Sequence, residues 1–142
     1  MVCVDASLVA AWLLPEELSE KALHLQQELR SAGELLIAPS LITAEVTSTL
    51  RKAIYRDRVP PEFGEEAYEA FKMFPIEVHD ARLLVDSAWR WAKTVNAPHL
   101  YDMYYLALAE REGCTLWTAD QRLVRLVGRN SAHPRWVGDL ED

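Results

Sequence analysis

Val2-Cys3-Val4-Asp5 opens the chain, and Thr115-Leu116-Trp117-Thr118-Ala119-Asp120 echoes it near the other end. Each stretch is a short apolar and β-branched run that ends at or just before an aspartate. A run of this kind suits a strand buried on both faces. Outward from these two, Leu35 to Ala38, Ile76 to Val78 and, more weakly, Trp136-Val137 are further short apolar runs. Helical patterns lie between them. Leu18, Ala22, Leu25 and Leu29 recur at helical spacing, as do Ile42, Val46, Leu50, Ala53 and Ile54 within Ser40 to Arg56. Leu84, Ala88, Trp91 and Val95 give the same period within Ala81 to Val95, and Glu62 to Phe74, Leu100 to Arg111 and Gln121 to Val127 complete the set. Strands alternating with helices imply an α/β fold, with a mostly parallel central sheet of about four to five strands flanked by helices. Pro60-Pro61, Pro75 and Pro98 punctuate the helices, and Gly113 and Gly128 stand where C-caps belong.

The chain has 142 residues, half of them hydrophobic, which is enough for one ordinary core. Residues 1–142 are therefore expected to form one domain. No charged and then apolar leader precedes Val2, and no apolar run approaches the roughly 20 residues that cross a bilayer, so a cytoplasmic protein is expected. Cys3 and Cys114 lie far apart and neither has a neighbour at metal-ligand spacing. Two buried free thiols are expected, with neither a disulfide nor a zinc site.

A formal charge of −7 excludes a broad basic surface, and with it duplex binding driven mainly by phosphate neutralisation. Local positive clusters remain at Arg51, Lys52, Arg56 and Arg58, and at Arg122, Arg125 and Arg129. Either cluster alone reads first as a solvated helix surface.

In open α/β sheets, ligands bind beyond the carboxyl ends of the strands, which directs attention to the acids placed there. Asp5 follows the first strand, Glu45 lies early in the helix after the second, and Asp120 follows the strand at Thr115 to Thr118. Asp102 joins them from the first turn of another helix. Taken singly, Asp5 and Asp120 fit N-caps, and Asp102 fits the favourable end of a helix dipole. Glu45 resists such a reading because it borders the apolar stripe of its helix, where a carboxylate needs a partner. Ser7 and Thr118 place hydroxyls beside Asp5 and Asp120, though one also fits a helix cap and the other a strand. If the four acids meet, their repulsion must be relieved by raised pKa values or by a cation. Hard oxygen donors suit Mg²⁺ or Mn²⁺, and such an ion activates water for phosphodiester hydrolysis.

Four stretches carry a resemblance. They are Val4-Asp5-Ala6-Ser7-Leu8-Val9-Ala10-Ala11-Trp12-Leu13-Leu14-Pro15-Glu16-Glu17, then Ala38-Pro39-Ser40-Leu41 with Glu45, then Tyr101-Asp102-Met103-Tyr104-Tyr105-Leu106-Ala107-Leu108-Ala109, and Thr118-Ala119-Asp120-Gln121-Arg122-Leu123. In this order and spacing they resemble a PIN domain of the VapC toxin group. The resemblance covers nearly the whole chain and implies a PIN-like three-layer fold. It implies an Mg²⁺- or Mn²⁺-dependent endoribonuclease, a homodimer, and inhibition by a small antitoxin. Asp5, Glu45, Asp102 and Asp120 would then be the acidic catalytic and metal site, with Ser7 and Thr118 in support. One departure is Ala11, where many relatives carry a Lys before the Trp; the acidic quartet is untouched by it.

Two other readings share the fold: an RNA-processing nuclease without an antitoxin, and an idle scaffold that only binds RNA or protein. The intact quartet speaks against idleness. The apolar faces of Leu18 to Leu29 and Ser40 to Arg56 independently suggest a dimer. Trp12, Trp89, Trp91 and Trp117 read as core or interface, Tyr101, Tyr104 and Tyr105 as core or site wall, and His99 as a residue at a helix start. The chain holds no HExxH, GxSxG or Gly-rich phosphate loop, which removes zinc-protease, α/β-hydrolase and P-loop chemistry. A haloacid-type phosphatase would need an Asp at position 7, where Ser stands.

Overall fold

The computed structural model describes residues 1–141. Five strands, β1 (Val2–Val4), β2 (Leu36–Pro39), β3 (Ile76–His79), β4 (Thr115–Thr118) and β5 (Pro134–Trp136), form one sheet. Their order is β3-β2-β1-β4-β5, and every pairing is parallel. Seven α-helices connect them: α1 (Ala6–Leu13), α2 (Ser19–Ser31), α3 (Ile42–Tyr55), α4 (Pro61–Lys72), α5 (Val85–Val95), α6 (Tyr101–Glu112) and α7 (Gln121–Val127).

The order of the strands fixes the layers. From β1 through β2 to β3 the chain steps one way across the sheet, and from β3 through β4 to β5 it returns and passes beyond β1. Right-handed crossovers then put the helices of the two journeys on opposite faces. The contacts agree: α1 packs on α2 and α3, α3 packs on α4, and α5 packs on α6, which lies against β1, β2 and β4. The direction reverses between β1 and β4, so their carboxyl ends border the crevice where ligands bind in such sheets.

β1, β2 and β4 are central and almost wholly buried. They read as continuous apolar runs because helices cover both faces. Helix α6 is unusual in burying Met103 and the whole run from Tyr105 to Ala109. It is therefore a core helix carrying a polar first turn. Its other end stops at Gly113, whose φ of +65° is left-handed, as expected of a C-cap. Pro61 takes the first position of α4, where its missing N–H leaves nothing unpaired.

Several expectations need correction. Helix α1 has no periodic signal because Leu8 to Trp12 are all buried, so no polar face alternates with the apolar one. The Ala81 to Val95 segment is a 3-10 turn at Ala81–Leu83 followed by α5 from Val85. Strand β5 ends at Trp136, and Val137 is buried in a following 3-10 turn. Both cysteines are free, but Cys114 is only partly buried. The apolar stripes of α2 and α3 face inward. Large apolar side chains left outside include Val85 and Trp89, one turn apart on α5, with Trp89 60% exposed. No helix among the described residues is long and apolar enough to cross a membrane.

A Cβ at Gly113 would meet no neighbouring atom within 4 Å, so only backbone strain opposes substitution. Gly113→Ala should therefore cost about 1 kcal/mol in urea unfolding, and Gly113→Asn less. A cost of several kcal/mol would mean that the turn is packed and not merely left-handed.

A carboxylate cleft at the sheet's switch point

Strand β1 delivers Asp5 to the reversal point, and what Asp5 does next is local. Its backbone is extended and its Oδ1 accepts from the Leu8 N–H at 2.9 Å, so it is the N-cap of α1. The Ser7 hydroxyl donates to the same oxygen at 2.7 Å. The Asp5 N–H reaches the Trp117 carbonyl on neighbouring β4 at 3.3 Å. Ser7 also ties the two strand ends together: its Oγ lies 3.2 Å from Thr118 Oγ1 and accepts from the Ala119 N–H at 3.0 Å. Thr118 Oγ1 in turn accepts from the Asp120 N–H at 2.9 Å. Asp120 caps α7 through the Arg122 N–H at 2.9 Å. Both capping readings are thus correct as far as they go. They leave carboxylate oxygen to spare, since each cap uses one oxygen.

Glu45 comes from the first turn of α3. The partner demanded by its half-buried place is Tyr105 of α6, whose phenol donates to Oε1 at 2.7 Å. Asp102 stands on the first turn of α6, three residues before Tyr105, and so on the same helix face.

All four acids line one cleft of about 690 Å³, together with Ser7, Glu16, Ser48, Thr49, Lys52, Tyr101 and Tyr105. Three of the four are raised from their ordinary values. Asp5 is 3% exposed, and burial pushes it up to about 6 against the hydroxyls of Thr118 and Ser7, the Leu8 N–H opposing and Asp102 adding. Glu45 is raised by desolvation, then held down by the Tyr105 phenol and lifted again by Asp102. Asp102 stays open to the cleft, yet partial desolvation raises it, with Asp120 adding and Arg122 opposing. Asp102 is therefore the member whose charge couples to each of the others. The phenol of Tyr105 is driven far above its ordinary value by burial and by Glu45, so it stays a donor. Among the described residues, no three carboxylates, imidazoles or thiols are already closed into an ion cage. What the chain presents is a set of hard oxygens around a common space.

Residues 2–128 match the PIN domain family. The chain belongs to that family. Among curated relatives, VapC ribonuclease Mb0985 of Mycobacterium bovis is 32% identical over 123 residues, 87% of this chain and 88% of the relative. Ribonuclease VapC9 of Mycobacterium tuberculosis gives the same figures. Ribonuclease VapC3 of Pyrobaculum aerophilum is 31% identical over 120 residues, covering 84% of this chain and 89% of the relative. This PIN domain is thus similar, almost end to end, to proteins named as ribonucleases.

Sequence reasoning passed over Glu16, Ser48 and Thr49, and gave Lys52 only a surface role. Glu45, Ser48, Thr49 and Lys52 follow helical spacing on α3, so the choice of Glu45 would have selected the rest of that face.

The raised Asp5 pKa carries a sign. Its folded value lies above the unfolded one, so its contribution to metal-free stability is fully present below about pH 4 and is lost as pH rises through about 6. At neutral pH the buried charge costs on the order of 3 kcal/mol relative to an unshifted carboxylate. Asp5→Asn keeps an acceptor for Leu8 and Ser7 while removing the charge. In chelator at pH 7.5 it should melt several degrees above the wild type, with the gap closing near pH 4. A variant less stable than the wild type at pH 7.5 would contradict the desolvation account.

Proposed function

We propose that this PIN domain is a divalent-metal-dependent endoribonuclease and the toxin of a toxin–antitoxin pair. The observation that carries the reading is the convergence of Asp5, Glu45, Asp102 and Asp120, from four separated segments, on one cleft at the switch point of the sheet. The names of the relatives support the ribonuclease activity, and the word VapC in them matches the toxin group that the sequence resembles, which is the ground for pairing with an antitoxin.

The donor set suits Mg²⁺ or Mn²⁺. Carboxylate and hydroxyl oxygens line the cleft, with no sulfur or imidazole among the lining residues. Asp5, Glu45, Asp102 and Asp120 are the residues that would hold the ion. When bound, it supplies Lewis acidity toward a phosphoryl oxygen and a water of lowered pKa. The chain's own part is to fix and charge the donors. Ser7 and the Leu8 N–H hold one oxygen of Asp5, and Thr118 braces the turn that carries Asp120. Tyr105 holds Glu45 Oε1, leaving Oε2 to take a ligand or a proton. Water is the nucleophile, so the cleaved phosphodiester never becomes attached to the protein.

A small cognate antitoxin and a homodimer complete the proposal. The exposed Val85 and Trp89 on α5 support a self-association surface.

Asp102→Asn provides the test. The substitution keeps the side-chain shape at the start of α6 and removes the charge that couples to the other three acids. RNA cleavage with Mn²⁺ should fall by at least about a hundredfold, a loss of roughly 3 kcal/mol of transition-state stabilisation. In chelator the variant should melt at or above the wild-type temperature, and with saturating Mn²⁺ the order should reverse, since the wild type gains binding free energy. A variant that cuts RNA at the wild-type rate would remove the quartet as the active site. One that unfolds in chelator would make Asp102 a structural residue.

A further inference from the structure

The cleft sets a problem for a polyanionic substrate. Asp5, Glu16, Glu45, Asp102 and Asp120 all line it, and Lys52 is the one Lys or Arg among its lining residues. Lys52 lies on α3 seven residues beyond Glu45, about 10 Å along the helix and on the same face. Its ammonium makes no hydrogen bond or ion pair among the described residues and is exposed to solvent. A cation so placed reaches a phosphate flanking the one over the carboxylates.

A second feature stands at the other wall. Tyr101 begins α6, immediately before Asp102, and is 61% exposed although it lines the cleft. Its ring lies 6.1 Å from the His99 ring at 33°, so the two make a broader aromatic shelf. Its neighbour Tyr105 is buried and hydrogen-bonded, which accounts for that ring in packing terms; Tyr101 has no such account. Exposed aromatic faces beside a nucleic-acid cleft stack on bases regardless of sequence.

We infer that Lys52 and Tyr101 form a two-point grip for single-stranded RNA, with Lys52 on a flanking phosphate and Tyr101 stacked on an unpaired base next to the scissile bond. The inference rests on the ribonuclease reading and adds the two side chains that grip the RNA on either side of the carboxylates. A base within an A-form duplex has both faces covered and cannot reach Tyr101, so the grip selects unpaired segments. Lys52 supplies local attraction that the net charge of −7 denies to the protein as a whole.

The two contacts leave different signatures. The assay is fluorescence anisotropy of a short, mixed-sequence, labelled single-stranded RNA, with Mn²⁺, in the Asp102→Asn background so that bound RNA stays intact. Lys52→Met should weaken binding about tenfold at low salt and flatten the slope of log K against log salt by about 0.7, the share of one single-strand phosphate. Lys52→Arg should restore both. Tyr101→Ala should weaken binding about tenfold with the slope unchanged, while Tyr101→Phe should bind like its parent. Competition by a duplex of the same sequence should be weak for the parent and approach that of the single strand in Tyr101→Ala. A Lys52→Met slope equal to the parent's, or a Tyr101→Phe protein as weak as Tyr101→Ala, overturns the grip. Failure of the wild type to cut RNA overturns the ribonuclease reading instead, and the binding assay reads the grip independently of that result.

Discussion

A carboxylate with 3% of its surface exposed sits where the order of the sheet reverses, and much of the architecture answers to it. Burying Asp5 without a cation is unfavourable, which is why its pKa rises to about 6. The fold offsets part of this with the Leu8 N–H and the hydroxyls of Ser7 and Thr118. The two hydroxyls also join the end of β1 to the end of β4 and hold the turn that presents Asp120. The cost of the buried charge and the precision of the site thus come from one small network.

Glu45 and Asp102 extend the problem outward. Neither is as deeply buried, but each is raised by desolvation and by the charge of another acid. Tyr105 is the internal remedy for Glu45, and Arg122 is a weak one at the rim, its side chain 90% exposed and 3.3 Å from Asp120. Exposed pairs of that sort contribute little. The remaining repulsion is stored in the folded chain, and the proposed divalent cation would relieve it. Lys52 stands outside this cluster, at the far end of the same α3 face.

Much of this was legible in the sequence, for a physical reason. Central parallel strands are buried on both sides, so β1 and β4 appear as unbroken apolar runs, and acids at their ends can be named without coordinates. Glu45 could be singled out because an acid beside an apolar stripe is anomalous, although its partner Tyr105 could not be chosen from among three nearby tyrosines. Helix α1 was invisible as a period because it is buried all round. Lys52 shares its helix face with Glu45 and could have been added to the cleft with it, whereas Glu16 comes from the connection between α1 and α2, which has no period to mark it. The partial exposure of Cys114, one residue before β4, likewise follows from packing and not from its apolar neighbours.

The central claim is that an ion held by the four carboxylates is what enables this chain to cut RNA. The most direct measurement is a Mn²⁺ titration of the metal-free protein at neutral pH, following bound ion by the loss of the free-ion electron paramagnetic resonance signal and RNA cleavage in the same samples. The cleavage rate should rise along the occupancy curve and return to background when chelator removes the ion. Full cleavage in excess chelator, or a filled site that leaves RNA intact, would contradict the account.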